Sequence, residues 1–212
     1  PPTDPTTIRS SSAASDVYKR QAESWVICPL MVMALSFGLM HLVKLILRRF
    51  ETASFRFQNA LGWLAIGSAC YVAFSMGANN AGNAVGPIAN LGILHPKLLL
   101  LMGGLSIAVG AVTYGRKVAD TVGKGITPLD IPGAFVAQVS SAFGMHLFSL
   151  LGIPVSTSSV IVGAVVGVGL VKGMKAISKK TIATILLGWL LTPTFAAVSS
   201  YLLYKFIKTL FA

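Results

Sequence analysis

Long apolar stretches separated by short basic segments make up most of the chain from residue 22 onward. A transmembrane helix needs about 20 consecutive, mostly apolar residues, and several of these stretches approach or reach that length. The pattern predicts about four transmembrane helices and, before the last of them, two apolar arms joined by Gly152-Ile153. The four helices and then the two arms are Trp25–Leu47, Ala60–Met76, Lys97–Tyr114 and Thr181–Tyr204, followed by Pro132–Leu151 and Pro154–Val171.

The two arms are compatible with two topologies. Two full spans and a re-entrant hairpin both leave residues 124 and 172 on the same side of the membrane, so the number of crossings does not separate them. The connecting segment, 152–159, has neither charge nor aromatic anchor, and the first arm carries the polar residues Gln138, Ser140 and Ser141. These features favour the hairpin. The predicted fold is an all-α integral membrane protein with four transmembrane helices, one of them broken, and a re-entrant helical hairpin.

A polar, glycine-rich segment, 77–87, follows the second apolar stretch. Backbone polar groups in a bilayer need internal partners, so a helix is interrupted there only where protein or a polar cavity receives it. Glycine tolerates the backbone angles of such an interruption. We therefore expect Asn79, Asn80 and Asn83 to bind a charged substrate at a break in this helix. The residues predicted to break the backbone are Gly77, Gly82, Gly86 and Pro87, together with Pro154 at the hairpin tip.

Four hydroxyl-bearing residues follow Pro154, which suits the first turn of a helix. Free backbone N–H groups, hydroxyls and the positive end of the helix dipole together form an anion-binding site, and transporters aim half-helices at anionic substrates in this way. The alternative is that the hydroxyls only cap the helix or bond to its own carbonyls. The predicted substrate contacts are Ser156, Thr157 and Ser158, and the predicted lining residues of the site are Gln138, Ser140, Ser141 and Ser159.

Composition and charge placement narrow the class of protein. A hydrophobic content of 54% indicates a membrane protein, and the net charge of +11 lies mostly in short connections rather than in a nucleic-acid-binding surface. Outside residues 1–21, ten basic residues lie at one membrane face and three at the other. The positive-inside rule then places the basic loops in the cytoplasm and the C-terminus outside. No HExxH, CxxC, GxSxG or P-loop pattern occurs, so no enzyme activity is predicted.

Residues 1–21 are rich in Pro, Ser and Thr and change abruptly into the first apolar stretch. Such a segment lacks the apolar residues needed for a packed core. We expect it to be a disordered or non-native tail without a function of its own. The remaining residues, 22–212, are expected to form one transmembrane domain.

Small residues recur on the second arm at Gly163, Gly167 and Gly169. In membrane proteins a small-xxx-small spacing allows two helix backbones to approach closely. We expect this face to pack against another helix and to have no substrate role.

Two motifs resemble those of the inorganic phosphate transporter (PiT) family of cation-coupled symporters. The family signature, Gly-Ala-Asn-Asp-x-Ala-Asn-Ala, is similar to Gly77–Ala84, and a second element, Gly-Leu-Pro-Val-Ser-Thr-Thr-His, is similar to Gly152–Ser159. Each motif occurs once, and the chain resembles the second repeat of a phosphate/sulfate permease built from two inverted repeats. The resemblance implies phosphate and its coupling ions, sodium or protons, bound between the repeats, with Asn79 and Asn83 as sodium ligands.

Three positions depart from the family pattern. Asn80 stands in place of the signature aspartate, Gln138 in place of a glutamate, and Ser159 in place of a histidine. An amide coordinates through its oxygen but brings no charge, which weakens the expectation of ion coupling through this repeat. Phosphate near neutral pH keeps a proton that a carboxylate can accept, whereas sulfate has none. A site without acids is therefore expected to tolerate sulfate.

The predicted function is cation-coupled transport of inorganic phosphate across the cell membrane, with no cofactor beyond the coupling ion. The alternatives are a sulfate permease, a channel-like protein, and a structural membrane subunit whose polar groups only bond helices together. The predicted partners are phosphate or sulfate, the lipid bilayer and the first repeat of a longer chain. An antiparallel homodimer would need little charge bias, and the ten-to-three distribution argues against it.

Overall fold

The computed structural model describes residues 5–49, 55–89, 91–92 and 94–211, and within these ranges it contains helices and no strands. Five of the helices are long and apolar enough to cross a membrane, which confirms the predicted all-α membrane class. The helices are α1 (Pro5–Arg49), α2 (Phe55–Ala89), α3 (Pro96–Gly125), α4 (Ile131–Leu150), α5 (Thr157–Lys172) and α6 (Lys179–Phe211), with a 3-10 helix at Met174–Ala176.

The two predicted arms correspond to α4 and α5, which pack against each other as an antiparallel hairpin. The 20 residues of α4 measure about 30 Å, the thickness of the hydrocarbon core, and α4 is one of the five candidate spans. The 16 residues of α5 are too few for a typical span. Re-entrant insertion of the hairpin stays a prediction.

Residues 1–177 and 178–212 form two separate compact units. The second unit consists mainly of α6, whose candidate span is Lys179–Thr209. Pro193 lies inside this helix, and the neighbouring Thr192 hydroxyl donates a hydrogen bond of 2.7 Å to the Gly188 carbonyl.

Close backbone contact between α1 and α5 organises the first unit. A Cβ atom added to Gly163 would lie 2.5 Å from the carbonyl oxygen of Pro29, and one added to Gly167 would collide with Met33 and Ser36 of α1. The predicted small-residue face on α5 is therefore confirmed as a helix-packing surface. Gly169, the third small residue, instead faces Ile177 and Thr127.

The remaining helices assemble around the hairpin. α4 also packs against α1, where Gly144 leaves room for the side chain of Val32. The core between α1, α4 and α5 contains the fully buried residues Val32, Val136, Met145, Val160 and Val168. α2 covers another side of α4, and α3 contacts mainly α2, with only 6% of its candidate span buried. The hairpin is thus the best-covered part of the unit.

Both ends of the hairpin are fixed by hydrogen bonds. At the tip, Gly152 adopts a left-handed φ of 68°, which closes α4 with paired bonds from Gly152 N–H to the Ser149 carbonyl and from Ile153 N–H to the Phe148 carbonyl. At the open end, Lys172 forms a 3.0 Å salt bridge with Asp130. Partial burial opposes ionisation of Asp130, but the Lys172 bond and charge and nearby backbone N–H groups outweigh it and lower the pKa of this carboxyl group.

The predicted break in the second helix is wrong. α2 runs without interruption from Phe55 to Ala89, so Gly77, Gly82 and Gly86 have helical backbone and Pro87 lies in the last turn. A continuous helix satisfies its backbone groups internally, which a bilayer strongly favours, and the asparagine side chains find partners without unwinding. Glycine in a helix costs only about 1 kcal/mol relative to alanine, too little to interrupt it.

Two boundaries also differ from expectation. Pro154 was predicted in the first turn of the second arm, but α5 begins at Thr157, so Pro154 lies in the irregular connection before it. The chain is interrupted there, within the hairpin, rather than in α2. α1 begins at Pro5, so most of the segment expected to be a tail is helical. Its non-native origin stays a prediction.

We predict that Gly167→Ala, at the α1–α5 contact, destabilises the first unit. An added methyl group has no room beside Met33 and Ser36, and overpacking of this kind costs about 1–3 kcal/mol. The measurement is thermal unfolding of the purified variant in detergent. Gly104→Ala in α3, where no atom lies within 4 Å of the added Cβ, is the matched control and is expected to leave stability unchanged or raise it. Equal stability of both variants would contradict the close contact.

Candidate functional site

The side chain of Asn79 joins α2 to the tip of the hairpin. Its Nδ2 donates to the carbonyl oxygen of Val155 at 3.0 Å, and its Oδ1 accepts from the backbone N–H of Val155 at 3.4 Å. Asn79 is 5% exposed and Val155 is equally buried. The carboxamide therefore satisfies both backbone groups of a residue that belongs to neither α4 nor α5. The asparagine segment and the hairpin tip meet, as the sequence predicted.

The next residue extends this network. The Thr157 hydroxyl donates to Asn80 Oδ1 at 2.9 Å, and Nδ2 of Asn79 lies 3.2 Å from the same oxygen. Nδ2 of Asn79 also reaches the Thr157 hydroxyl at 3.4 Å. Asn80 Oδ1 is thus held by neutral donors, a task that needs no negative charge. An amide at this position fits its surroundings.

The hydroxyl residues at the start of α5 divide into two groups. Ser156 is the N-cap and accepts from the Ser159 N–H at 3.4 Å, while the buried Ser159 hydroxyl donates to the Ser156 carbonyl at 2.8 Å. These two residues act as helix caps, which was the alternative interpretation. Ser158 is exposed, and its hydroxyl lies 3.2 Å from that of Ser156. Ser158 and the free first-turn N–H groups of α5 are available to an anion.

A small cavity of about 180 Å³ lies beside this network. Asn79, Gly82 and Asn83 line it from α2, and the hairpin contributes Ser149, Gly152, Ile153 and Pro154. The Ser149 hydroxyl is buried and has no hydrogen-bond partner within the described part of the chain. Sequence reasoning missed Ser149, although its position three residues before the tip glycine could have indicated it. Asn83 and this unsatisfied hydroxyl therefore line the same cavity.

The other predicted lining residues lie away from the tip. The Ser68 hydroxyl donates to Gln138 Oε1, which links α2 to α4 one-third of the way along the hairpin arm. Gln138 lies 11 residues before Ser149, or about 16 Å along the helix. Ser141 and Gln138 line a larger, mainly apolar cavity of about 510 Å³, and Ser140 is fully buried with no partner among the described residues. The predicted site residues therefore form two groups.

A polar row on α2 connects the two groups, and sequence reasoning missed it. Ser68, Ser75 and Asn79 are buried and spaced seven and four residues apart, so they lie on one helical face. Tyr71, one turn from Ser68, contacts the His146 Nδ1 of α4 through its hydroxyl at 3.1 Å. The helical spacing of these residues was the signal that could have revealed the row.

The site contains no acidic group. Among the residues that the structure describes, none of those that line the tip cavity or bond to its asparagines is Asp or Glu. No carboxylate among these residues balances the positive end of the α5 dipole, and this favours binding of an anion. Any cation here would be coordinated by amide, hydroxyl and carbonyl oxygens, the ligands that hard cations prefer.

Comparison with known proteins places the chain in a family. The model of the phosphate transporter family matches residues 14–200, and the chain belongs to this family. A protein of Thermococcus kodakarensis named as a putative phosphate permease is 42% identical over 148 residues, which cover 65% of this chain and 36% of that protein. One of Chlamydia muridarum with the same description is 35% identical over 163 residues, which cover 73% of this chain and 38% of that protein.

A solved structure agrees with this placement. The structure described as the sodium-dependent phosphate transporter is similar with a TM-score of 0.57 and 30% identity. The similarity covers 84% of this chain and 56% of the solved one. The chain thus spans about a third to just over half of the length of the relatives it matches. Fold and family agree with the resemblance seen in the sequence.

We predict that Asn79→Asp weakens the attachment of the hairpin tip. A carboxylate can accept from the Val155 N–H but cannot donate to the Val155 carbonyl, and an unsatisfied buried group costs about 1–3 kcal/mol. The measurement is hydrogen exchange at the Val155 amide together with thermal unfolding in detergent. Asn59→Asp, at an exposed position of the same helix, is the control. Unchanged protection of Val155 in Asn79→Asp would contradict the pairing.

Proposed function

We propose that this chain forms one half of a cation-coupled transporter for inorganic phosphate, with the basic loops in the cytoplasm and the C-terminus outside. The supporting observation is the hydrogen-bonded meeting of Asn79 and Asn80 with Val155 and Thr157. It brings polar side chains from a membrane helix to the free N-terminus of α5. A buried anion needs this combination of N–H donors, hydroxyls and positive dipole.

The substrate phosphate is proposed to bind at the start of α5. Ser158 and the first-turn N–H groups would donate to its oxygens, while Ser156 keeps the helix capped. Asn79 and Thr157 are occupied by the network, so their role is to hold the tip in position. Asn83, exposed at the mouth of the small cavity, is proposed to extend an amide donor toward the anion or an amide oxygen toward a cation.

Sodium is proposed as the coupling ion. The similar solved structure is described as sodium-dependent, and the tip cavity offers neutral oxygens from Asn83, Ser149 and the backbone of the connection. Oxygen ligands of this kind suit a hard cation, and bound phosphate would supply the missing negative charge. Cation and anion would then each favour binding of the other, which is the energetic basis of symport.

The site is proposed to be completed by a second, inverted repeat. The chain spans 36% of its relative in Thermococcus kodakarensis and 56% of the similar solved chain. Inverted-repeat transporters bind substrate at the interface of two halves and expose it to each side by moving one half against the other. In this arrangement the present chain would supply half of the binding groups, and the first repeat the remainder.

We predict that Ser158→Ala weakens phosphate binding. A hydroxyl bond to a charged ligand contributes about 1.5–3 kcal/mol, so affinity is expected to fall about tenfold or more. Binding of labelled phosphate to the purified chain in nanodiscs, in sodium and in potassium buffers, measures both affinity and sodium dependence. Ser106→Ala in α3, which removes an exposed hydroxyl bonded to its own helix, is the control.

Two results would count against the proposal: equal phosphate affinity of the Ser158→Ala and Ser106→Ala variants, or identical affinity in the two buffers. Transport itself is measured separately, as uptake of labelled phosphate into proteoliposomes that contain a chain with both repeats. Uptake driven by an inward sodium gradient is expected there.

We predict a second property, that sulfate competes with phosphate at this site. Asn80 is neutral and already accepts a hydrogen bond from Thr157, so it is not the carboxylate acceptor that would favour the proton of phosphate over sulfate. Excess sulfate is expected to displace labelled phosphate at comparable concentrations. Asn80→Asp is expected to restore preference for phosphate. Absence of inhibition by excess sulfate would contradict this prediction.

A further inference from the structure

A groove rich in basic side chains lies at the end of α1, far from the hairpin tip. It has a volume of about 560 Å³ and is lined by His41, Leu42, Lys44, Leu45 and Arg48 of α1 and by Val171 of α5. None of these lining residues is acidic. The candidate span of α1 ends at Arg48, so the groove lies where the hydrocarbon core gives way to the headgroup region.

Helical spacing brings the three basic side chains onto one face. His41, Lys44 and Arg48 follow each other at intervals of three and four residues, which places them on adjacent turns of the same side of α1. Arg48 is exposed, and its guanidinium carries a planar set of donors that matches a phosphate group. Lys44 and Arg48 therefore present donors about 6 Å apart along the helix.

Two of these side chains are oriented by the fold. Lys44 Nζ donates to the carbonyl of Val171, in the last turn of α5, at 3.1 Å and keeps two further hydrogens for a ligand. His41 Nδ1 lies 3.1 Å from the Phe37 carbonyl, and since a carbonyl only accepts, this nitrogen carries the proton. In this tautomer Nε2 is an acceptor, so His41 lines the groove but supplies no donor to an anion. Lys44 and His41 are thus held before any ligand arrives.

Exposed apolar residues border the basic face. Leu42 and Leu45 are 51% and 61% exposed, and Ile46 beside them is 46% exposed. A free inorganic anion gains nothing from such neighbours. A phospholipid gains from basic and apolar neighbours together, because its phosphate contacts cations while its glycerol and acyl chains contact apolar side chains. The neighbouring Lys172 is already engaged with Asp130 and the Pro128 carbonyl, which leaves the α1 residues as the anion contacts.

We propose that this groove binds the phosphate headgroup of an acidic phospholipid, as a site separate from the transport site. Basic pockets at the cytoplasmic side of helix pairs are known to hold such headgroups, and the positive-inside arrangement predicts the cytoplasmic side for this end of α1. The bound lipid would bridge α1 and the end of α5 through Lys44. The proposal needs only that α1 spans a membrane, and it is independent of which anion the protein transports.

The test is competition between lipids for the purified chain. Native mass spectrometry counts phosphatidylglycerol and phosphatidylcholine bound from an equimolar mixture, in detergent at low salt. We expect a clear preference for phosphatidylglycerol, and a loss of about fivefold in its affinity when the Arg48 charge is removed. The variant is Arg48→Gln, which removes no contact between helices among the described residues, whereas His41→Gln removes no donor to the anion and is expected to change the affinity little. Lys208→Gln in α6 is the control and is expected to change nothing.

Each outcome decides the proposal. Equal binding of the two lipids, or an equal loss in Arg48→Gln and Lys208→Gln, would overturn it. Displacement of phosphatidylglycerol by millimolar inorganic phosphate would show a free-anion site instead and would overturn it as well. Phosphate binding at the hairpin tip, measured in the same Arg48→Gln variant, is expected to be unchanged. Failure of the lipid site and failure of the transport site are therefore distinguishable.

Discussion

The pairing of the Asn79 carboxamide with the backbone of Val155 is the contact on which the candidate site depends. Val155 lies between two helices, where its N–H and C=O have no helical partner, and such groups cost several kcal/mol when they are left unpaired in a bilayer. Asparagine carries a donor and an acceptor on one short side chain, so it can pair with both the C=O and the N–H of Val155. This fixes the start of α5 against α2 and sets the direction of its dipole.

Packing of α1 against α4 and α5 holds the hairpin in place for that contact. Gly163 and Gly167 let α5 lie directly on the backbone of α1, and Gly144 lets α4 receive Val32 from the same helix. The Lys172–Asp130 bridge closes the opposite end of the hairpin. Helix association in a bilayer relies on close contact and internal hydrogen bonds, because lipid supplies no hydrophobic drive between helices. The hairpin is accordingly held along its length as well as at its tip.

The replaced acids acquire a structural explanation in this setting. Asn80 accepts a hydrogen bond from Thr157, and Gln138 accepts one from Ser68, so each amide joins two helices. A carboxylate at either position would bring a negative charge between the helices. Burying an unpaired charge is far more costly than burying an amide with partners. The neutral residues suit a stable half-site. In the proposed phosphate site, the neutral Asn80 is also the reason why sulfate is expected to compete.

The sequence alone determined the membrane class, the approximate spans, the small-residue contact and the two motifs that meet. Length, hydropathy and spacing carry these features locally, because the bilayer imposes the same requirements on every segment. Only the tertiary structure decided that α2 stays helical through Gly77–Gly86 and that the interruption lies at Val155. It also separated Gln138 from the tip and added Ser149. A polar residue can interrupt its own helix or form a hydrogen bond to a neighbouring segment. Which of the two occurs depends on the partners within reach, and the local sequence does not contain that information.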